Sequence, residues 1–348
     1  MAKIISAAVL LVTLSQLSSP ALTAQDLNLG GQVRSRFEAR DPAAAGAKAF
    51  VSMRIRGQVR GELDQGVSVL VQFQDIRLWG EETNTLGDRS ADQLDLHQGF
   101  VQLDWSGRVD ASATIGRQEI SFGGQRLIGA VNWTQQARSF DGVRMSAMST
   151  GAGASIDLFA AVLAEAAAQT HDDDAYVFAG YGQLRHLGAG TLDLYGIFNH
   201  AGGAATTNQT TVGTRWWGAL GTLRWRVEGS VQTGTRNGTD VTAFLVGARL
   251  GTSLAAGHAS VTLWYDYLSG DDDPADATNR VFDTLFATNH KFYGFADYFL
   301  NIERDTGGRG LQDLALKGTY RPAPAVNLGL DLHTFRVARS AGLTTGHL

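Results

Sequence analysis

The chain has 348 residues, with 42 glycines, 5 prolines and no cysteine, and its formal net charge is −5. The absence of cysteine excludes a disulfide framework, thiolate chemistry and any metal site with cysteine ligands. The negative net charge gives no support for nucleic-acid binding, which requires a basic surface, so no nucleic-acid partner is expected. This length suits either two soluble domains or one large barrel.

The first residues, MAKIISAAVLLVTLSQLSSPALTAQ, predict a secretory signal peptide. Lys3 supplies the positive region, residues 4–17 the apolar region, and small residues near Ala21 and Ala24 a cleavage site. The apolar run is too short to be a convincing membrane helix. We assign residues 1–24 to the signal peptide and leave the choice between the two cleavage positions open.

A period of two dominates the rest of the chain. From Val51 to Leu63 the odd positions are apolar or glycine, and from Ser52 to Asp64 the even positions are polar. Side chains alternate between the two faces of a strand, so this pattern predicts one apolar face and one polar face. The alternation lasts for about fifteen residues, longer than the roughly four to eight expected of a soluble half-buried strand.

The same alternation recurs in about fifteen segments of roughly ten or more residues, the length that spans an outer membrane when tilted. It slips around Leu94–Phe100, which predicts a β-bulge there. The connection Asp64–Gly66 is tight, whereas Ser121–Arg138 and Gly270–Gly310 are long and polar. Short turns at one end and long loops at the other are typical of outer-membrane barrels. We therefore predict that residues 25–348 form an all-β, transmembrane antiparallel β-barrel.

In such a barrel the apolar face meets lipid and the polar face lines a water-filled lumen. Guanidinium groups bind carboxylates bidentately and stay charged, so an arginine-rich constriction would select anions. The alternative is that these charges pair across strands and only brace the lumen; we expect most to do so and a minority to form the constriction. Parity places the following charged residues on the inner face: Arg34, Arg36, Arg54, Arg56, Arg60, Arg117, Arg224, Arg226, Arg249 and Lys317, with Glu38, Glu62, Glu119, Glu228 and Asp313.

No catalytic or metal signature stands out in the sequence. GxSxG, HExxH and P-loop motifs are absent, and the eight histidines lack metal-ligand spacing. His97 and Ser121 are residue types that an outer-membrane hydrolase would need, but nothing links them, so no enzyme is predicted. The acidic segments His171–Asp174 and Gly270–Asp276 could bind Ca²⁺, but their spacing matches no calcium loop and a solvated external loop is the preferred interpretation. No cofactor is predicted.

Two segments of the chain resemble a known family. The stretch GRQEISFGGQRLIGAVNWTQQARSFDGVRM, from Gly116 to Met145, carries the elements GRQE, GxQRLIG and RSFDGVR. The segment Trp264–Asn301 carries the elements SGD, FDxLFxTNHK and YGxxD. Together they are similar to the alginate export family of outer-membrane barrels, and the similarity runs over most of the mature chain.

The resemblance implies a Gram-negative outer-membrane barrel of roughly eighteen antiparallel strands whose arginine-rich lumen passes an anionic polysaccharide such as alginate. The implied partners are that polysaccharide, outer-membrane lipid and the barrel assembly machinery, with a periplasmic export scaffold as a further candidate. A general diffusion porin or structural barrel without polysaccharide specificity is the alternative, and the direction of transport stays open. The resemblance also implies that the charged residues of the motif form the constriction: Arg117, Glu119, Arg126, Arg138, Asp141 and Arg144.

The C-terminal end departs from the family pattern. The chain stops at GLTTGHL, soon after the last predicted strand, Val326–Arg339, whereas family members continue to a final strand with a C-terminal aromatic residue. An odd strand count conflicts with a closed antiparallel barrel, since bacterial barrels use even counts. We therefore expect about fifteen of eighteen strands to be present, with a gap between the first and the last that is wide enough for about three more at roughly 4.8 Å each.

The long connection Gly270–Gly310 has an acidic half and an aromatic half. Loops of this length seldom lack a function. We expect its aromatic half to pack against the barrel rim or to fold into the mouth, with a short helix near Phe295–Asn301. The aromatic residues concerned are Phe292, Tyr293, Phe295 and Tyr298.

Overall fold

The computed structural model describes residues 26–40, 48–79, 94–149, 151–165, 174–273 and 275–339. The predicted signal peptide, the chain end GLTTGHL and most of the acidic segment at 171–174 lie outside these ranges. Within them, no helix is long and apolar enough to cross a membrane.

The strands form one sheet of sixteen, and successive long strands pair antiparallel in sequence order. The prediction of about fifteen long strands is confirmed, because β14 has only two residues and pairs in parallel with β12. One short helix, α1 (Ile302–Asp305), lies in the longest connection. The strands are β1 (Asp26–Arg40), β2 (Lys48–Asp64), β3 (Val67–Leu78), β4 (Asp95–Trp105), β5 (Asp110–Gln118), β6 (Phe140–Ser149), β7 (Ala154–Ala164), β8 (Ala175–Leu187), β9 (Gly190–Ala201), β10 (Thr207–Leu220), β11 (Leu223–Arg236), β12 (Thr239–Leu254), β13 (Ala259–Leu268), β14 (Thr278–Asn279), β15 (Leu311–Ala323) and β16 (Val326–Val337).

The hydrogen-bonded order begins at β1 and ends at β16, and within the described ranges no backbone pairing joins these two strands. The predicted width of about three further strands between them stays a prediction. The predicted bulge near Leu94–Phe100 is present, since the register of β3 against β4 shifts at Gln72 and Phe73, opposite Gln98 and Leu96.

The apolar residues of the alternating pattern share one exposed face. In the first hairpin Leu29 lies opposite Val59 and Val33 opposite Ile55, and these four side chains are between 41% and 76% exposed. A continuous exposed apolar surface of this kind is costly in water but is what a barrel presents to lipid. The polar residues between them lie on the other face, where Ser52 and Arg54 are buried.

Two long connections fold onto the polar face. We name them the first lumen loop (residues 119–139) and the second lumen loop (residues 269–310). Their backbones pair directly: the Gly129 N–H donates to the Phe286 carbonyl at 2.9 Å, and the Phe286 N–H donates to the Leu127 carbonyl at 2.8 Å. The two loops therefore form one interlocked unit.

The first lumen loop contacts strands far apart in the sheet. Arg34 on β1 donates to its backbone, and its own Arg126 binds Asp266 on β13. Strands β1 and β13 are separated by eleven others in the hydrogen-bonded order. Since one loop reaches both, the sheet curves around the loops and encloses them in a lumen.

The hydrophobic core lies inside this lumen, between the second lumen loop and the inner face. Phe282 and Phe292 of the loop are 0% and 1% exposed, and they belong to one cluster with Val241 and Leu245 of β12. The inner face of β12 is therefore apolar from Val241 to Leu245, where the sequence pattern predicts a polar face. The loop covers these side chains, so they are removed from water on the inner side as well.

The expectation for the aromatic half of the second lumen loop is correct in part. Phe292 and Tyr293 are buried, but Phe295 and Tyr298 are 65% and 66% exposed. The helix begins after Asn301, later than predicted. The side chain of Asn301 accepts a hydrogen bond from the Arg304 N–H, so this residue caps the helix instead of lying within it.

Candidate functional site: a charged lumen divided by two loops

Arginines of the first hairpin hold the first lumen loop to the wall. Arg34 donates from Nη1 to the Asn132 carbonyl and from Nη2 to the Thr134 carbonyl, both at 2.7 Å. Arg54 donates from Nη1 to the Gln135 carbonyl at 3.1 Å. Because these guanidinium groups are occupied by loop carbonyls, their first role is to brace the lumen.

Glu119 begins the first lumen loop and joins it to β2 and β4. Its carboxylate lies 3.2 Å from Nη1 of Arg56 and 2.7 Å from Nε2 of His97, and it accepts from Nδ2 of Asn132 at 2.9 Å. Burial opposes ionisation of this carboxyl, but the hydrogen bonds from His97 and Asn132 outweigh it and lower the pKa of Glu119. Glu119 and Arg56 are thus brought together as an internal ion pair.

His97 and Ser121 both have structural partners. His97 is 2% exposed and binds Glu119, while Oγ of Ser121 accepts a hydrogen bond from the Ala130 N–H at 3.2 Å. No contact joins the two side chains within the described residues, so they do not form the catalytic pair that a hydrolase would need.

Arg126 of the first lumen loop binds the opposite wall. It forms a bidentate pair with Asp266 at 2.9 and 2.7 Å and donates to the Tyr293 hydroxyl at 3.0 Å. Its guanidinium also lies 4.1 Å from the centre of the Phe292 ring. Although burial alone would lower it, the pKa of Arg126 is raised by Asp266, which favours the charged form. This residue is a second internal anchor.

Three other residues of the predicted constriction also have partners. Arg144 binds Asp157 at 2.6 Å, and Lys317 binds Asp331 at 2.9 Å. Arg249 stacks over the Trp264 ring and lies 4.0 Å from Asp266.

Arg138 lies in the first lumen loop, 5.8 Å from the centre of the Phe286 ring. Burial lowers the pKa of its guanidinium. Its Nη1 atom is enclosed and makes no hydrogen bond within the described residues. Arg138 lines the cleft at the long-loop end of the lumen.

Arg117 and Asp141 lie on the outer face, which differs from the predicted inner position. Arg117 is opposite Gly99 and Asp141, and Asp141 is opposite the exposed Val162. The two charged groups are 3.8 Å apart and 39% and 60% exposed. The prediction assumed that Arg117 and Glu119, two residues apart, share one face of a strand. Because β5 ends at Gln118, Glu119 already belongs to the loop and turns inward. The pair is therefore separate from the lumen residues.

The interlocked loops leave clefts at both ends of the lumen. The cleft at the long-loop end has a volume of about 750 Å³ and charges of both signs, including Arg36, Glu38 and Asp95. At the short-turn end, one cleft of about 460 Å³ is lined by Asp104, Asp110, Asp157 and Arg144. A second cleft at that end, the arginine cleft, has a volume of about 590 Å³. Its described lining includes no acid and contains four arginines, Arg215, Arg224, Arg226 and Arg249.

The sequence analysis missed Arg215 and its partner Asp193. Arg215 is 8% exposed and donates from Nε to Asp193, which is 0% exposed, at 2.7 Å. The alternation of residues could have identified Arg215, since it lies on the same face of β10 as Gln209 and Thr211. The partner lies on the neighbouring strand, and single-strand periodicity does not identify such pairs.

The acidic segment at 270–276 is bound by a neighbouring arginine. Asp271 and Asp276 lie 3.4 and 2.8 Å from the guanidinium of Arg280. In the part of the chain that the structure describes, no group of three or more histidine, aspartate or glutamate side chains is placed to hold a metal ion.

Comparison with known proteins finds relatives by family and by fold. A family model described as alginate export matches residues 25–343. Pseudomonas aeruginosa OpdO has a similar structure, with 15% identity, a TM-score of 0.63, and coverage of 91% of this chain and 83% of that one. A comparison with curated protein sequences gives no match.

Two further solved structures share the fold. An anion-selective porin from Comamonas acidovorans is 12% identical with a TM-score of 0.50, covering 90% of this chain and 89% of that one. Pseudomonas aeruginosa OccK2 (OpdF), in complex with glucuronate, is 13% identical with a TM-score of 0.50, covering 90% and 85%. The predicted transmembrane antiparallel β-barrel is thereby confirmed.

Proposed function

Because the chain belongs to the alginate export family, it is a channel of the Gram-negative outer membrane and not an enzyme, and we propose that its lumen passes an anionic polysaccharide. Alginate, a polymer of uronate sugars, is the type of cargo meant. Each sugar of such a polymer carries one carboxylate, so a passage for it needs a series of cationic contacts that are exchanged readily.

The arginine cleft at the short-turn end carries this proposal. Arg215, Arg224, Arg226 and Arg249 line about 590 Å³ with no acid among the described lining residues. Threonine and serine hydroxyls of β12 and β13 line the same cleft and can bind sugar hydroxyls. Basic side chains ringing a water-filled passage favour anions over cations.

The alternative is a general diffusion porin or a structural barrel without polysaccharide specificity. One observation favours it: several of the predicted lumen arginines, such as Arg54 and Arg126, are occupied by loop carbonyls or buried acids. If all inner arginines acted in this way, they would shape the lumen without selecting its contents. The arginine cleft is what distinguishes the two functions.

Blockade of single channels by oligosaccharides tests the proposal. Uronate oligomers added to the short-turn side are expected to interrupt the current through the unaltered channel, while neutral oligomers of equal length interrupt it much less. Arg224→Glu is expected to shorten each uronate block about tenfold, because one charge-assisted contact is lost and a repulsion is added. Arg304→Glu is the control, since Arg304 is 71% exposed in the second lumen loop, away from the cleft.

Equal blockade by neutral and uronate oligomers would favour the general porin. Flux of glucose as fast as glucuronate through vesicles containing the protein would favour it too. Outer-membrane lipid, the barrel assembly machinery and a periplasmic export scaffold are further proposed partners.

A further inference from the structure

Three cationic side chains meet at Gly124 in the first lumen loop. A Cβ atom added to Gly124 would lie 3.1 Å from Nη1 of Arg215 and 3.2 Å from Nη1 of Arg226. Lys291 of the second lumen loop donates from Nζ to the Gly124 carbonyl at 3.4 Å. Two guanidinium groups from the barrel wall and one ammonium group from a loop therefore converge on one small space, which we name the Gly124 cation nest (Gly124, Arg215, Arg226 and Lys291).

The positive charge of the nest is not balanced. Arg215 has Asp193 as its partner, but among the described residues Arg226 and Lys291 form no ion pair. The Nη2 atom of Arg226 is enclosed and makes no hydrogen bond in the same described part of the chain. Among the described residues, Arg215 is thus the one member of the nest that binds a carboxylate directly.

The nearest acid on the same strand as Arg226 is Glu228, whose Oε2 atom makes no hydrogen bond within the described residues. Glu228 lies 3.8 Å from Nε of Arg126 and accepts from the Tyr195 hydroxyl at 3.5 Å. Burial lowers the pKa of Lys291, and Arg226 and Arg215 lower it further. This direction is the one expected where like charges are held together without a counterion.

We infer that the Gly124 cation nest binds one small oxyanion, a carboxylate or a phosphate, and that the bound anion ties the second lumen loop to the barrel wall. The anion would accept charge-assisted hydrogen bonds from groups on β10, β11 and the loop at once. A Cβ atom at position 124 would crowd both guanidinium groups. The nest shares Arg215 and Arg226 with the arginine cleft, but the inference goes beyond the passage of a polymer, since a free inorganic anion would serve equally.

Binding and loop docking are coupled if this inference holds. An anion that prefers the docked loop stabilises docking, and docking raises the affinity for the anion by the same factor. The occupied nest would hold the lumen divided, and loss of the anion would free Lys291 to move away from the two arginines.

Calorimetric titration of the purified full chain in detergent, at constant ionic strength, tests the binding step. Inorganic phosphate and glucuronate are the probes. Gly124→Ala keeps every charge but fills the space, and Lys291→Met removes one cation. Each is expected to weaken binding about tenfold, the loss of one charge-assisted hydrogen bond. Arg304→Gln, an exposed change in the same loop, is expected to stay within about twofold of the unaltered protein.

Equal affinity in the unaltered protein, Gly124→Ala and Lys291→Met would overturn the inference, as would the absence of binding by both probes. Binding of phosphate and glucuronate alike indicates a site for any small oxyanion. Binding of glucuronate alone assigns the site to sugar carboxylates.

Limited digestion with trypsin tests the coupling. Cleavage after Lys291 is expected to slow about tenfold when the anion is present at roughly ten times its Kd, because docked loops are protected in proportion to occupancy. Gly124→Ala is expected to show no such protection. Unchanged cleavage at saturating anion would refute the coupling. The anion selectivity of the channel would be unaffected by that result, so this inference and the proposed function can fail separately.

Discussion

Arg126 is enclosed in the lumen, and its contacts explain how a charged group is tolerated there. Asp266 binds it bidentately, the Tyr293 hydroxyl accepts from it and the Phe292 ring lies over it. Desolvating an ion costs several kcal/mol, and close pairing of this kind is needed to offset that cost. The pair also spans 140 residues of sequence, so it joins the first lumen loop to β13. Arg126 therefore holds the first lumen loop in place against β13 in addition to placing a positive charge in the lumen.

Arg126→Met is expected to destabilise the protein by about 3–5 kcal/mol, because Asp266 is then left buried without a partner. Urea unfolding in detergent micelles measures the change. Arg304→Ala breaks an exposed pair with Asp305 and is expected to leave the stability nearly unchanged, because solvent screens such a pair. The double change Arg126→Met with Asp266→Leu is expected to recover part of the loss. If Arg126→Met alone were as stable as Arg304→Ala, the pair of Arg126 with Asp266 would not anchor the loop.

The two lumen loops decide the shape of the passage. Each follows a strand that ends at the long-loop end, and each turns inward because apolar and polar partners on the inner face receive it. Trp133 of the first loop stacks on His290 of the second at 3.9 Å, and Arg36 lies 4.5 Å over the Trp133 ring. The acidic half of the second loop makes contacts of another kind, since Asp271 and Asp276 pair locally with Arg280.

Deletions in the second lumen loop should therefore have unequal effects. Removal of residues 271–276 is expected to leave single-channel conductance nearly unchanged. Removal of residues 290–301 takes away the buried Phe292 and Tyr293 and is expected to raise conductance or to disturb folding. Conductance in planar bilayers, with heat modifiability on gels to report folding, measures both. No effect from either deletion would mean that the loop does not limit the passage.

At the scale of the whole molecule, the alternation of residues predicts the wall but not the contents of the lumen. Strand number, the two faces and the bulge near Leu96 all follow from period two, because a strand displays that period directly. The inward folding of the loops depends on contacts between distant segments, such as Ile128 with Phe286. The alternation also stops where a strand ends, which is why Glu119 turns inward while Arg117 keeps its place on the outer face of β5.

The clefts of the lumen differ in charge. Mixed charges line the cleft at the long-loop end and the cleft around Asp104, Asp110 and Asp157, whereas four arginines and no described acid line the arginine cleft. In a narrow passage with low-dielectric walls, such a basic region concentrates anions and repels cations. Anion selectivity is therefore the property that the wall, the loops and the cleft should produce together.

The reversal potential of the channel in a planar bilayer under a KCl gradient tests this claim most directly. The unaltered protein is expected to be anion-selective, and Arg224→Glu to reduce the selectivity, while Arg304→Glu leaves it unchanged. High salt should weaken the preference by screening the exposed charges. Cation selectivity in the unaltered protein would contradict the account.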